Sequence, residues 1–154
     1  MPIFLLWYNL NMTDFKFHFP IQVRYGDLDP QWHVNNSRYL TYIEQARFAY
    51  LMELGLFDGK SYLDLPFIVA DVHISYMAPI TLKQTIQIGV CVSRLGNKSL
   101  KFEYLIKDQK TGQKLATAET VMVTYDYREL KTIPIPEDIR NMIAEYEGIP
   151  PISN

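Results

Sequence analysis

Cysteine is nearly absent from this chain. Cys91 is the single cysteine in 154 residues, so no internal disulfide can form. No group of Cys and His residues has the spacing of a zinc site, and no Gly-x-Ser-x-Gly motif marks a serine hydrolase. Cys91 has no neighbouring base in the sequence, so we do not expect a thiol nucleophile. This cysteine usage favours a reducing, cytoplasmic location.

An excess of one charge and a long hydrophobic run are also missing. The formal net charge is −2, which gives no basic field for nucleic acid or for a membrane surface. Residues 3–8 are apolar but too short to span a bilayer, and they lack the features of a signal peptide. We expect residues 1–14 to be an N-terminal extension, with Met12 as an alternative start. The other hypothesis is an apolar arm that packs on a partner subunit.

The residues that are present indicate one packed domain. The composition is 48% hydrophobic and 14% aromatic, which suffices for a core and argues against disorder. No repeat, low-complexity tract or linker divides the chain. We therefore predict a single domain over residues 15–148 and a short tail over residues 149–154.

A strand and a long helix begin this domain. Alternating phenylalanines predict a strand over residues 15–25, which Pro20 places at an edge or a bend. Apolar residues at three- and four-residue steps predict a helix over residues 37–54, ended by Gly55. Because that helix is apolar nearly all round, we expect it to be buried on most sides.

Four strands and a short helix follow. Alternation and turn signals predict strands over residues 67–77, 85–95, 100–106 and 114–127, and a helix from Pro136 to Gly148. Strands joined by tight turns form an antiparallel sheet, and the long helix is the only long apolar element that can cover one face. The predicted fold class is α+β, with a curved antiparallel five-stranded sheet wrapped around one long central helix.

The loop before the long helix carries the chemistry. It contains two carboxylates, one histidine and two amides: Asp27, Asp29, His33, Asn35 and Asn36. A helix N-terminus offers free backbone N–H groups and a partial positive charge. A carboxylate held beside such donors is the minimum set of groups for attack on a polarised carbonyl.

This element order and two motifs resemble a known family. Asp27-Leu28-Asp29-Pro30 and His33-Val34-Asn35-Asn36-Ser37-Arg38-Tyr39-Leu40, continued to Glu44 and Arg47, resemble the hotdog-fold acyl-CoA thioesterases, in particular the 4-hydroxybenzoyl-CoA thioesterase-like group. The resemblance implies hydrolysis of acyl-CoA to a free acid and coenzyme A, without a metal or bound cofactor. It also implies a homodimer or homotetramer with active sites at the subunit interface.

The resemblance assigns roles within the loop. Asp29 is implied as the catalytic carboxylate, either nucleophile or general base; the alternative is that it only begins a turn. The backbone N–H of Asn36 is implied as the oxyanion donor, although Asn35 and Asn36 also suit a helix cap. Trp32, where many relatives have glycine, is expected to contact substrate together with His33 and Tyr39. The alternatives are that Trp32 reshapes the loop, that His33 is structural, and that Tyr39 belongs to the core.

Two further carboxylates receive structural interpretations. We expect Asp27 to anchor the loop by hydrogen bonds, rather than to share a raised pKa with Asp29. Glu44 is the rival catalytic acid, but it lies eight residues beyond Asn36, or roughly 12 Å along the helix. It therefore acts only across a dimer interface or pairs with Arg47, and we favour the pairing.

Substrate identity stays open at this point. Coenzyme A phosphates require basic groups, for which the candidates are Arg94, Lys98, Lys101, Arg128 and Lys131. A non-catalytic acyl-binding domain of the same fold is one alternative. A thioesterase for acyl groups on acyl carrier protein is the other, although the modest charge gives no clear docking patch.

Overall fold

The computed structural model describes residues 15–61 and 65–150. The predicted N-terminal extension with its apolar arm, and the last four residues of the tail, lie outside the described residues. No helix in the described ranges is long and apolar enough to cross a membrane.

A single antiparallel sheet organises the described chain. Its main strands are β1 Phe17–Gln22, β2 Phe67–Tyr76, β3 Thr85–Leu95, β4 Ser99–Asp108 and β5 Lys114–Asp126. They lie in the order β1-β3-β4-β5-β2, so β1 and β2 form the two edges. The predicted strands and their antiparallel pairing are confirmed.

Strand β1 is shorter than predicted. It begins at Phe17, where Phe17 pairs with Val90, and it ends at Gln22. The chain then turns into a 3-10 helix over Tyr25–Asp27, which prevents the strand from reaching residue 25. The edge position expected from Pro20 is confirmed, because proline cannot donate to a second neighbouring strand.

Helix α1 spans Asn36–Glu53, within one residue of its predicted bounds. The chain leaves it through Gly55, whose φ of +71° lies in the left-handed region that favours glycine. Its core-facing side carries Tyr39, Tyr42, Ile43, Ala46, Arg47, Tyr50 and Leu51. The expectation of burial on most sides is wrong for the single chain, because Leu40 and Met52 are 46% and 50% exposed.

The core lies between α1 and one face of the sheet. Alternate residues of β3, such as Ile86, Ile88 and Val90, are fully buried, as period-two alternation requires. On the opposite side of β3, a Cβ at Gly89 would lie 2.7 Å from the Phe15 ring. Glycine is needed there because only a bare Cα lets that ring pack against the strand.

The C-terminal segment adds a short strand and a second helix. Strand β6, Lys131–Thr132, pairs with β5 and was not predicted, because two residues carry no periodicity. Helix α2 spans Glu137–Glu147, and Pro136 is its N-cap rather than its first residue. Gly148 closes α2 in the left-handed conformation, as its position predicted.

Candidate active site

Asp27 anchors the loop before α1. Its side chain is almost fully buried, accepts a hydrogen bond from the Tyr42 hydroxyl at 2.7 Å and another from the Arg24 N–H at 3.1 Å. Burial by itself raises the pKa of Asp27, but hydrogen bonds from Tyr42 and Arg24 and the Arg24 charge outweigh it, so the pKa lies below its ordinary value. The anchoring role predicted for Asp27 is confirmed.

Asp29 also organises the loop, but it uses only one carboxylate oxygen to do so. Its Oδ1 accepts hydrogen bonds from the N–H groups of Gln31 at 2.9 Å and His33 at 3.3 Å. Its own N–H donates to the His33 carbonyl at 2.8 Å. Among the described residues nothing donates to Oδ2. The half-buried Asp29 side chain therefore stabilises the turn with one oxygen and leaves the other without a hydrogen bond.

The first turn of α1 supplies the donors. Asn35 is the N-cap, and its Oδ1 accepts from the Ser37 N–H at 2.9 Å. Asn36 is the first helical residue, and its backbone N–H has no acceptor among the described residues. This N–H is one of the unsatisfied groups at the positive end of the helix dipole.

A cavity of about 440 Å³ joins these groups. Four of the five predicted site residues line it: Asp29, His33, Asn36 and Tyr39. Six further lining residues were not predicted: Gln31, Val34, Tyr76, Met77, Ala78 and Pro79. Its size suits a small-molecule site, and a few polar groups converge on a partly apolar wall.

The last four of these lining residues are the final residue of β2 and the three residues that follow it, about forty positions along the chain from the loop. The Val34 N–H donates to the Ile80 carbonyl at 2.8 Å, and His33 forms an isolated bridge with Thr81. These two contacts join the loop to the segment after β2. An aromatic residue at a strand end followed by Pro79 was the available signal, but only these tertiary contacts place it beside the loop.

Two tyrosines form one wall of the cavity. The rings of Tyr39 and Tyr76 meet edge to face with centroids 4.9 Å apart. Burial and the neighbouring Tyr76 raise the pKa of Tyr39 to about 12, so this hydroxyl is neutral at pH 7. Tyr39 is buried, whereas Tyr76 is 54% exposed.

Trp32 is the predicted site residue that the fold does not bring into the cavity. Its side chain is 64% exposed and lies edge to face with Tyr25, with centroids 6.2 Å apart. Its φ is +62°, a left-handed conformation that costs a bulky residue about 1–2 kcal/mol relative to glycine. This strain explains why glycine suits the position, and substrate contact by Trp32 stays a prediction.

Glu44 does not line the cavity, and it pairs with Arg47. Their charged groups lie 3.9 Å apart, as expected for the i, i+3 pair. The buried Arg47 also donates to the Tyr104 hydroxyl at 3.2 Å, which in turn lies 2.9 Å from the Thr120 hydroxyl. The predicted pairing of Glu44 with Arg47 is confirmed.

The basic residues predicted as candidates to bind the coenzyme A phosphates differ in whether they already contact other protein groups. Lys101 pairs with Glu119 at 2.5 Å, Lys131 pairs with Glu129 at 3.5 Å, and Lys98 donates to the Thr132 carbonyl at 3.3 Å. Arg94 and Arg128 form no ion pair with any described residue, and both side chains are exposed.

No cluster of three metal-binding side chains occurs in residues 15–61 and 65–150. The expectation of a site without a metal stays a prediction.

The arrangement of sheet, helix and cavity defines a hotdog-fold protein. A thioesterase from Thermus thermophilus, solved with coenzyme A and Zn, is 34% identical and has a TM-score of 0.77, covering 89% of this chain and 98% of that one. A 4-hydroxybenzoyl CoA thioesterase mutant, solved with 4-hydroxybenzoyl CoA, shares the fold at 17% identity, with a TM-score of 0.75 and coverage of 82% and 97%.

Sequence comparison gives the family. Residues 23–143 match the thioesterase-like superfamily, so the chain belongs to this family. The long-chain acyl-CoA thioesterase FadM of Escherichia coli K12 is 29% identical over 125 residues, covering 81% of this chain and 95% of that protein. The predicted thioesterase family, the enzyme class and the hotdog fold are all confirmed.

Proposed function

We propose that this protein is an acyl-CoA thioesterase that uses Asp29 as its catalytic carboxylate. The observation that carries the proposal is the shared cavity: the unbonded Oδ2 of Asp29 and the unbonded N–H of Asn36 belong to residues that line the same space. The relatives named for acyl-CoA hydrolysis support the choice of substrate.

The proposed reaction begins with the thioester carbonyl near the first turn of α1. The Asn36 N–H and the helix dipole stabilise the oxyanion that develops on the carbonyl oxygen. Asp29 either removes a proton from the attacking water or attacks the carbonyl carbon itself, forming an anhydride that water then cleaves. In both routes coenzyme A leaves as the thiol and the acyl group as the free acid.

His33 and Tyr39 have supporting roles in this proposal. The His33 N–H and carbonyl hold Asp29 in place through the backbone, which leaves the imidazole free to contact the thioester. Tyr39 and Tyr76 form an aromatic wall suited to an acyl group.

The proposal is tested by thiol release from acyl-CoAs of increasing length and from benzoyl-CoA, with wild type and Asp29→Asn. Asn keeps an acceptor for the two loop N–H groups but cannot act as a base, so we expect kcat to fall by at least about 100-fold. Asp58→Asn is the matched control, since Asp58 accepts a similar loop hydrogen bond from the Lys60 N–H, outside the cavity. We expect it to retain wild-type activity.

Other results separate the alternatives. Equal activity of wild type and Asp29→Asn overturns the role of Asp29. Acyl-CoA binding without turnover by the wild type favours a non-catalytic acyl-binding domain. Turnover of an acyl group on acyl carrier protein, but not of the same acyl group on coenzyme A, favours the carrier-protein thioesterase.

A further inference from the structure

Two buried apolar residues lie outside the core between α1 and the sheet. Phe15 is 4% exposed and Leu105 is 1% exposed, yet neither is part of that core. Leu105 lies between Tyr104 and Ile106 of the core, so its side chain points to the opposite face of the sheet. The Phe15 ring lies on that same face, over Gly89. We call this face, opposite α1, the outer face.

One row of paired residues crosses the outer face from edge to edge. Antiparallel partners share a face, and the pairing runs from β1 through β3, β4 and β5 to β2. In that order the row consists of His18, Gly89, Leu105, Thr117 and Ser75. The three central members are all buried, so a strip across the middle of the outer face is removed from water.

Polar atoms of this row are buried as well. The Nδ1 of His18 and the Oγ1 of Thr117 are closed to solvent and have no hydrogen-bond partner among the described residues. Burial and, after it, the charge of Lys107 lower the pKa of His18. On an open sheet face water would bind both atoms, since an unpaired buried polar atom costs about 1–3 kcal/mol. The row is therefore covered.

The helices of residues 15–61 and 65–150 do not supply this cover. Their buried residues, such as Tyr50 of α1 and Ile143 of α2, belong to the core on the other face of the sheet. The sheet itself can cover only one side of the Phe15 ring, and the other side is buried too. Other residues must therefore lie over Phe15 and the row beside it.

The width of the row limits what can cover it. Glu103 and Lys107 lie two residues before and after Leu105 on β4, and both are partly buried. At about 3.4 Å per residue these charged borders stand about 14 Å apart. That width fits one extended segment or one helix. The sheet of a second copy would instead cover the borders and remove their charged groups from water, which is costly.

The residues that precede Phe15 are the segment of this chain best placed to act as the cover. Phe15 already lies over the row, and the chain before it carries the apolar residues 3–8, Leu10 and Met12. From Gly89 on β3 to Thr117 on β5 is two strand spacings, or about 10 Å. An extended chain crosses that distance in about three residues. Residues 3–14 are therefore long enough to cover the row without a second chain.

We propose that residues 3–14 dock across the outer face of their own chain and cover the row centred on Leu105. The segment then belongs to the domain, in contrast to a non-essential extension or an arm that packs on a partner subunit. A chain that started at Met12 would leave Leu105 and its neighbours in the row open to solvent.

Tryptophan fluorescence of the full chain tests the docking, because Trp7 and Trp32 are its only tryptophans. In the Trp32→Phe background, we expect Trp7 to emit at shorter wavelength, and to be quenched less by acrylamide, than in the same chain unfolded in urea. Adding Gly89→Ala is expected to shift both readings toward the unfolded values, because a Cβ there would lie 2.7 Å from the Phe15 ring and displace it. Gly26→Ala is the matched control, since a Cβ there meets nothing within 4 Å.

A second pair of variants tests the row if Gly89→Ala does not fold, as judged by circular dichroism. Leu105→Ala removes the central apolar contact and is expected to increase quenching of Trp7. Val123→Ala is its control, because Val123 lies on the outer face but six residues along β5 from Thr117. We expect the control to leave the quenching of Trp7 unchanged.

Photochemical cross-linking distinguishes the same chain from a second copy. Leu10 is replaced by the photoreactive residue benzoylphenylalanine in the full chain, and the irradiated protein is digested and analysed by mass spectrometry. We expect cross-links to outer-face residues of β3, β4 or β5, in a product that migrates as a single chain on a denaturing gel. A product of two linked chains, or cross-links confined to other surfaces, overturns the inference.

The fluorescence outcomes are equally decisive. Trp7 emission that matches the unfolded chain overturns the docking, and so does emission that is unchanged in folded Gly89→Ala and Leu105→Ala proteins. None of these readings depends on thioester hydrolysis. A wild type that hydrolyses no acyl-CoA would therefore overturn the proposed function and leave this inference standing.

Discussion

At the first turn of α1, the Asn36 N–H and one oxygen of Asp29 have no partner among the described residues. In the last turns of the same helix, Arg47 and Tyr50 are buried and hydrogen-bonded to Tyr104 and Glu147. The two ends of α1 therefore have different roles. Unsatisfied groups are available to a substrate at the first end, and satisfied polar groups fix the helix on the sheet at the second end.

The largest loss of stability is expected at the second end, from Glu147→Ala. One oxygen of Glu147 accepts from the Tyr50 hydroxyl at 2.5 Å and from the Val92 N–H at 3.0 Å. Removing it leaves two donors without their acceptor, which costs about 3 kcal/mol. Urea unfolding measures the loss, and the exposed Glu145→Ala on the same helix is the control. Equal stability of the two variants would contradict the role of Glu147 in holding α1 against the sheet.

A smaller loss is expected from Tyr104→Phe. The buried Arg47 guanidinium loses its only hydrogen bond to a neutral side chain in the described structure, at a cost of about 2 kcal/mol. Burial raises the pKa of Tyr104 despite the nearby Arg47, so the hydroxyl is neutral and its removal changes no charge. Tyr25→Phe, on a side chain that is 73% exposed, provides the control in the same unfolding assay. A Tyr104→Phe protein as stable as that control would show that solvent or Glu44 satisfies Arg47.

Asp27→Asn is expected to cost about 1 kcal/mol at pH 7, because it weakens two hydrogen bonds and the attraction to Arg24. The folded pKa of Asp27 lies below its ordinary value, so its ionised form contributes stability above pH 4. That contribution disappears as the pH falls through the folded pKa. The stability difference between wild type and Asp27→Asn should therefore shrink from pH 6 to pH 2. A constant difference would contradict the charge-based anchoring.

The smallest effect is expected at Trp32. Trp32→Gly relieves about 1–2 kcal/mol of backbone strain from the left-handed conformation. It also removes the ring contact with Tyr25 and increases the conformational entropy of the unfolded chain, and these two losses together cost about the same. We expect the free energy of unfolding to change by less than about 1 kcal/mol. A change in acyl-chain preference in the same variant, measured with the acyl-CoA panel, would establish the substrate contact predicted from the sequence.

The sequence predicted the regular elements more closely than the site. Strand β3 spans Thr85–Leu95 as predicted, because the alternation of its apolar residues and the turn that follows allow only one register. Asp29 and Asn36 were predicted from the loop motif and its family resemblance. Tyr76 and Pro79 were missed because no local pattern joins them to residues more than forty positions away. Their place depends on the backbone contacts of Val34 with Ile80 and of His33 with Thr81, which hold the segment after β2 beside the loop.

Trp32 shows a second limit of sequence reasoning. Substrate contact was predicted for this bulky ring, but the direction of the side chain depends on a positive φ that the sequence does not specify. Helix α1 shows a third limit. Its apolar residues predicted burial on most sides, whereas one chain buries only the side that faces the sheet.

The most direct test compares Asp27→Asn with Asp29→Asn in two assays, thioester hydrolysis and urea unfolding. Only Leu28 separates these aspartates in the chain, and the same chemical change is made at each. The account predicts that Asp29→Asn loses at least about 100-fold in kcat with unchanged stability, while Asp27→Asn loses stability and keeps most of its kcat. Loss of activity in proportion to loss of stability in both variants would contradict it, because the loop would then be only structural.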